Sequence, residues 1–232
     1  MNSFDWPYLW GEPSLRLLNG FYYTILLTFW SGLLALFIGM TAGIVSWLKL
    51  PALTILIKGY VGFIRNTPFV VQLLFVYFSA PVLLPASVIK LMQSVGFEFT
   101  VAIIALGVYH GAFFCEVTRS GLRSVPTGQM EGARALGLSV PFSLKWVMLP
   151  QAVRTALPAL INEGISLAKN TSIAVAIGVA ELTHHYRHIG NFDFRGVEAL
   201  TVATVLYIIL CLSISGAGML ISRAMQIDRP KH

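Results

Sequence analysis

Long uncharged stretches alternate along the chain with short polar, turn-rich segments. From Leu17 to Leu48 there is no charged residue. About 20 apolar residues suffice to cross a bilayer, so this run predicts a first span that projects or tilts, ended by Pro51. A second span is predicted from about residue 54 to 84, with Lys58 reaching back to the near interface and Pro68 kinking it. A third runs from about 99 to 119. Residues 120–145, with Gly121, Pro126, Gly128, Gly137 and Pro141, cannot cross. A fourth span, about 150 to 180, contains Glu163 and Lys169. Residues 181–198 are polar again and predict a loop. Residues 199–222 form an uncharged fifth span. The fold class expected is an all-α polytopic membrane protein with five transmembrane helices, a single domain over 1–232 and no internal repeat.

Composition supports this class. Of 232 residues, 56% are apolar and 11% charged, against about 25% charged in a soluble domain. The two cysteines, Cys115 and Cys211, lie in apolar runs and read as small core residues. The formal charge of +6 is not evidence for nucleic acid, because basic residues gather on the cytoplasmic side of membrane proteins. Lys49, Lys58, Arg119, Arg123, Arg134, Lys145, Arg154, Arg223, Arg229 and Lys231 fall on one side, and Arg16, Lys90, Arg187 and Arg195 on the other. Ten against four makes the first side cytoplasmic, with the N-terminus outside and the C-terminus inside. Residues 1–16 carry Asp5, Glu12 and Arg16 among Trp6, Tyr8 and Trp10. They read as an interfacial stretch rather than a cleavable signal.

The segment 120–150 is the most informative. It predicts one short helix over about 128–137, with Thr127 capping its N-terminus. Glu131 is expected in the first turn, where the dipole favours an anion, and Gly137 in a left-handed position that ends the helix. Such a helix is either a docking peg or a linker on the membrane surface.

Glu131-Gly132-Ala133, then Gly137, then Val147-Met148-Leu149-Pro150 resembles the "EAA" signature of ABC-importer permease subunits: Glu-Ala-Ala, three residues, Gly, nine residues, Ile, one residue, Leu-Pro. The spacing holds throughout; Gly132 and Val147 depart from the pattern. Further blocks resemble the polar amino-acid branch of these permeases: Leu18-Asn19-Gly20 with Thr24, Arg65-Asn66-Thr67-Pro68, Glu116 through Gln129, Pro150-Gln151-Ala152 and Lys169-Asn170-Thr171-Ser172. The blocks at 169–172, 180–183 and 195–201 are most similar to glutamate/aspartate members.

The resemblance implies a five-span permease of the bacterial inner membrane that imports polar amino acids by alternating access. It implies a homodimer or a pair with a sister permease, cytoplasmic ATPase subunits, and an extracytoplasmic solute-binding protein. The segment 120–150 would be the coupling loop, with Glu131, Gly132, Ala133, Gly137, Leu149 and Pro150 engaging the ATPase. No G-x-x-x-x-G-K-[ST] phosphate loop occurs in the sequence. ATP and magnesium are therefore expected on the partner ATPase, with no cofactor on this chain.

Ionisable groups in spans are costly and point to function. Glu163, Ser166 and Asn170 fall at i, i+3 and i+7, one helical face; Asn162, Ser166 and Lys169 form an adjacent stripe. An acid with amide donors suits the ammonium and carboxylate of an amino acid. The competing reading is that these groups glue span four to its neighbours. Arg65, Asn66, Thr67 and Pro68 read as a hinge or pathway lining, or as a packing kink whose Arg65 pairs with Glu116 or Glu163. His184, His185 and His188 imply contact with a binding protein or simple polarity, and no metal. Two rival functions are a proton-coupled carrier or channel, for which the missing repeat is a poor fit, and a membrane enzyme, for which catalytic motifs are lacking.

Overall fold

The computed structural model describes residues 6–9 and 11–226. Asp5, Trp10, Arg229 and Lys231, which enter the charge and interface readings, lie outside the described residues. The helices are α1 (Glu12–Trp47), α2 (Pro51–Arg65), α3 (Phe69–Leu83), α4 (Ala86–Val95), α5 (Phe97–Ser124), α6 (Thr127–Ala135), α7 (Val140–Ser143), α8 (Leu149–Asn170), α9 (Leu182–Phe192) and α10 (Gly196–Gln226). A π-type turn, Leu144–Met148, precedes α8, and a 3-10 turn, Thr171–Ile177, follows it.

Helices α1, α5 and α10 are each long and apolar enough to cross a membrane. Two bent pairs pass the same test together: α2 with α3, and Val140–Ile177 with α9. Counting each pair once gives up to five spans.

The core is the packing of α1 on α5. The buried face of α1 is a stripe of mostly small residues at helical spacing: Gly20, Thr24, Ser31, Ala35, Gly39, Gly43 and Ser46. In lipid there is little hydrophobic drive between helices, so close backbone approach by small residues holds them together. A Cβ at Gly43 would lie 2.7 Å from Thr118 Cβ and 2.9 Å from the Cys115 carbonyl oxygen, so this contact admits no side chain. The opposite face of α1 exposes Phe29, Trp30, Leu33 and Phe37, as a lipid-facing surface should.

The second predicted span is not one kinked helix. Helices α2 and α3 meet at 107°, and Pro68 stands as the N-cap of α3. The freed carbonyls at the end of α2 find side-chain donors: Asn66 Nδ2 to Gly62 O at 2.7 Å, Thr67 Oγ1 to Phe63 O at 2.8 Å and Gln72 Nε2 to Ile64 O at 3.0 Å. Capping of this completeness ends a helix rather than bending it.

The polar segment after residue 180 is likewise not a loop. It contains α9, capped by the Glu181 carboxylate, which accepts from the N–H groups of Thr183 and His184, both at 2.9 Å. Helix α9 packs against α1 and α10. At the other end of α1, Trp47 joins the cluster of Leu122, Val125, Leu144 and Met148 beneath α6. Gly20 meets α9. The 27 helical steps from Gly20 to Trp47 separate α9 from α6 by about 40 Å.

Candidate functional site

Three groups of predicted residues can be placed. The first is α6. The cap expected from Thr127 does not form: Pro126 holds the N-cap position, with no side-chain cap hydrogen bond. Proline there displaces the start by one residue, and Glu131 falls in the second turn of α6 rather than the first. The end is as expected. Gly137 has φ +85°, Leu138 N–H donates to Ala133 O at 3.1 Å, and Gly137 N–H donates to Arg134 O at 3.0 Å. This pair of bonds is a Schellman cap, which needs a left-handed residue at the Gly137 position.

Glu131 and Gly132 are exposed, while Ala133 faces inward. Around the cap, Leu136 is 85% exposed, with Val140, Phe142 and Trp146 also exposed. Four exposed apolar side chains thus lie within about ten residues of the end of a short polar helix, the kind of surface feature that marks interaction sites when it is contiguous. The helix is also tied to α8: Gln151 Nε2 donates to Gln129 Oε1 at 3.3 Å and to Val147 O at 2.9 Å. Leu149 and Pro150 form the first turn of α8, where proline fits without losing a helical bond.

The second group is on α8. Glu163, Ser166 and Asn170 are half-buried on one face, and Asn162 and Lys169 are exposed. The structure adds a residue the sequence reading overlooked. His110 of α5 is 1% exposed and lies between Glu163 and Asn170. Asn170 Nδ2 is 3.1 Å from His110 Nε2, and Glu163 Oε2 is 3.7 Å from His110 Nδ1. With the amide nitrogen as donor, Nε2 accepts, so the neutral ring carries its proton on Nδ1, facing the carboxylate. At 3.7 Å this does not reach a hydrogen bond, and Nδ1 has no hydrogen-bond partner among the described residues. The signal that could have found His110 was an ionisable side chain within a predicted span.

The third group is the break between α2 and α3. Arg65 does not pair with Glu116 or Glu163 in the way expected of a packing kink. Its guanidinium lies over the Phe113 ring, 5.5 Å from the centroid, while Glu116 pairs with Arg119 on its own helix. Phe113 is one turn from His110, with ring centroids 6.0 Å apart. Arg65 and the Glu163 group therefore gather on one face of α5. His184 and His185 stack edge to face at 5.5 Å, and His188 stacks on Phe192 at 4.5 Å. Among the described residues no three His, Cys, Asp or Glu groups are arranged to hold a metal.

Residues 35–227 match the family described as "Binding-protein-dependent transport system inner membrane component". The "Probable glutamine ABC transporter permease protein GlnP" of Bacillus subtilis (strain 168) is 36% identical over 204 residues, which cover 86% of this chain and 89% of the relative. The "Glutamine transport system permease protein GlnP" of Escherichia coli (strain K12) is 32% identical over 233 residues, covering 97% and 99%. Among solved structures, the "Crystal structure of an amino acid ABC transporter with histidines" superposes with a TM-score of 0.77 at 28% identity, covering 91% of this chain and 94% of that one.

Proposed function

The chain belongs to the family of binding-protein-dependent transport system inner membrane components, and on that premise we propose that it conducts a polar amino acid, glutamine before glutamate or aspartate, through an ATP-driven importer. The glutamine permeases among its relatives support that order. So does the single carboxylate of Glu163 in the α8 group, which attracts an ammonium and repels an acidic side chain. The likeness of the blocks at 169–172, 180–183 and 195–201 to glutamate/aspartate members points the other way, and the named relatives outweigh it.

The observation that carries the reading is the connection between α6 and Glu163. An exposed, sharply capped helix with apolar flanks is joined through Gln129 and Gln151 to the start of α8, and Glu163 lies on the same α8. A separate ATPase, holding ATP and magnesium, grips α6 of this chain and of a second permease, identical or sister. Closure of the ATPase pair draws the two α6 helices together and shifts α8. The 3.7 Å separation between Glu163 and His110 then changes, and with it the fit to the cargo. ATP moves the equilibrium only as far as it binds the closed state more tightly. A solute-binding protein delivers the amino acid at the α9 end. The α6 end faces the cytoplasm, in keeping with the basic residues at that end, so the N-terminus lies outside the inner membrane.

The test is reconstitution with a partner ATPase and solute-binding protein sought in the neighbouring reading frames. Loaded binding protein should stimulate ATP hydrolysis, with glutamine the best of a panel of glutamine, glutamate, aspartate, histidine and arginine. Uptake driven by a proton gradient without any ATPase would overturn the reading.

A further inference from the structure

A cavity of about 550 Å³ lies between the start of α3, the 3-10 turn after α8, α9 and α10. It shares no lining residue with the Glu163 group. Its wall carries Arg187 and the hydroxyl-bearing residues Ser172, Thr183, Tyr186, Thr204 and Tyr207. Its volume is in the range of small-molecule sites.

The arrangement behind one wall has a direction. The Tyr207 hydroxyl donates to Glu181 Oε2 at 2.8 Å, and its single proton is thereby committed. Thr183 Oγ1, 2.9 Å from the same hydroxyl, must be the donor to it. Each bond polarises the next. The Thr183 oxygen, its own proton spent, presents only acceptor capacity, with a fully buried carboxylate at the far end of the chain. Arg187 supplies the opposite charge, in the forked geometry that suits a carboxylate.

We propose that this cavity is a second amino-acid site, distinct from the Glu163 group, which holds the zwitterionic head group of the cargo at the α9 end of the permease. Arg187 takes the α-carboxylate. The Thr183–Tyr207–Glu181 chain takes the α-ammonium through Thr183 Oγ1. Ser172 and Thr204 meet an uncharged polar side chain. Ser172 follows Asn170 by two residues, so cargo leaving this site arrives next at the end of α8. The inference rests on the reading that the cargo is a polar amino acid.

The experiment is equilibrium binding of radiolabelled L-glutamine to the permease–ATPase complex in nanodiscs. The solute-binding protein is omitted because its own site would add to the count. Parallel arms use L-glutamate, L-histidine and L-arginine. The wild type should bind two equivalents per permease chain. Arg187→Gln and Thr183→Val should each remove one equivalent, or weaken it at least ten-fold, at an unchanged melting temperature. Arg187→Lys and Thr183→Ser should retain it, and Glu163→Gln should weaken the other. A single equivalent untouched by Arg187→Gln, or two that survive both Arg187→Gln and Thr183→Val, would overturn the second site and leave the substrate reading standing. No binding in any arm would overturn the substrate reading and this site with it.

Discussion

Asn170 and His110, sixty residues apart, meet at 3.1 Å between the end of α8 and the middle of α5. The contact joins the helix that starts beside α6 to the helix that packs most closely on α1. His110 is 1% exposed, so its ring is held in place by the packing around it.

His110→Ala should therefore lower both stability and transport. It leaves Asn170 without its partner and opens a void, costing about 1–3 kcal/mol. Glu163→Gln keeps the shape and should leave the melting temperature within a few degrees, yet reduce uptake ten-fold or more. Thermal melts of the purified complex and uptake into proteoliposomes give both readouts. Wild-type uptake by Glu163→Gln would make the group structural glue.

Gly137 tests coupling. No atom outside its chain neighbours lies within 4 Å of a Cβ added there, so the main cost of substitution is that of the left-handed backbone, about 1–2 kcal/mol. Gly137→Val should insert normally but turn the chain after α6 and uncouple hydrolysis from loaded binding protein. Glu131→Lys should weaken ATPase capture, measured by co-purification. Full substrate-stimulated activity in both variants would place coupling elsewhere.

Gly43 tests the packing of α1 on α5. Gly43→Val places its Cβ inside the contact distance of Thr118 and of the Cys115 backbone, and the backbone has no rotamer with which to yield. The helices must separate, at a cost of about 1–3 kcal/mol or more. Size-exclusion profiles of a fluorescent fusion should show loss of the monodisperse peak. Gly128→Val, where an added Cβ meets nothing within 4 Å, should keep it.

The two ends of α1 should face opposite sides of the membrane. In a background with Cys115 and Cys211 replaced, single cysteines at Gly128 and His188 should react with an impermeant reagent from opposite sides of oriented vesicles. Reaction of both from one side would sink the orientation.

The local physics of the chain already specified an all-helical membrane protein, the place of α6 and the cap at Gly137. Span length, charge asymmetry and a glycine four residues beyond Ala133 depend only on near neighbours, so they can be read in one dimension. The spacing from Glu131 to Pro150 likewise stays within twenty residues. What tertiary structure decided is of longer range. Pro68 could have bent one helix or ended it, and the choice fell to Asn66, Thr67 and Gln72 folding back on the α2 carbonyls. The polar stretch after residue 180 carries too few apolar residues to announce a helix, and α9 forms because Glu181 caps it and α1 and α10 bury one side. His110 shows the same limit. Its partners Glu163 and Asn170 lie on another helix, 53 and 60 residues onward, and only the packing of α5 against α8 brings the three together.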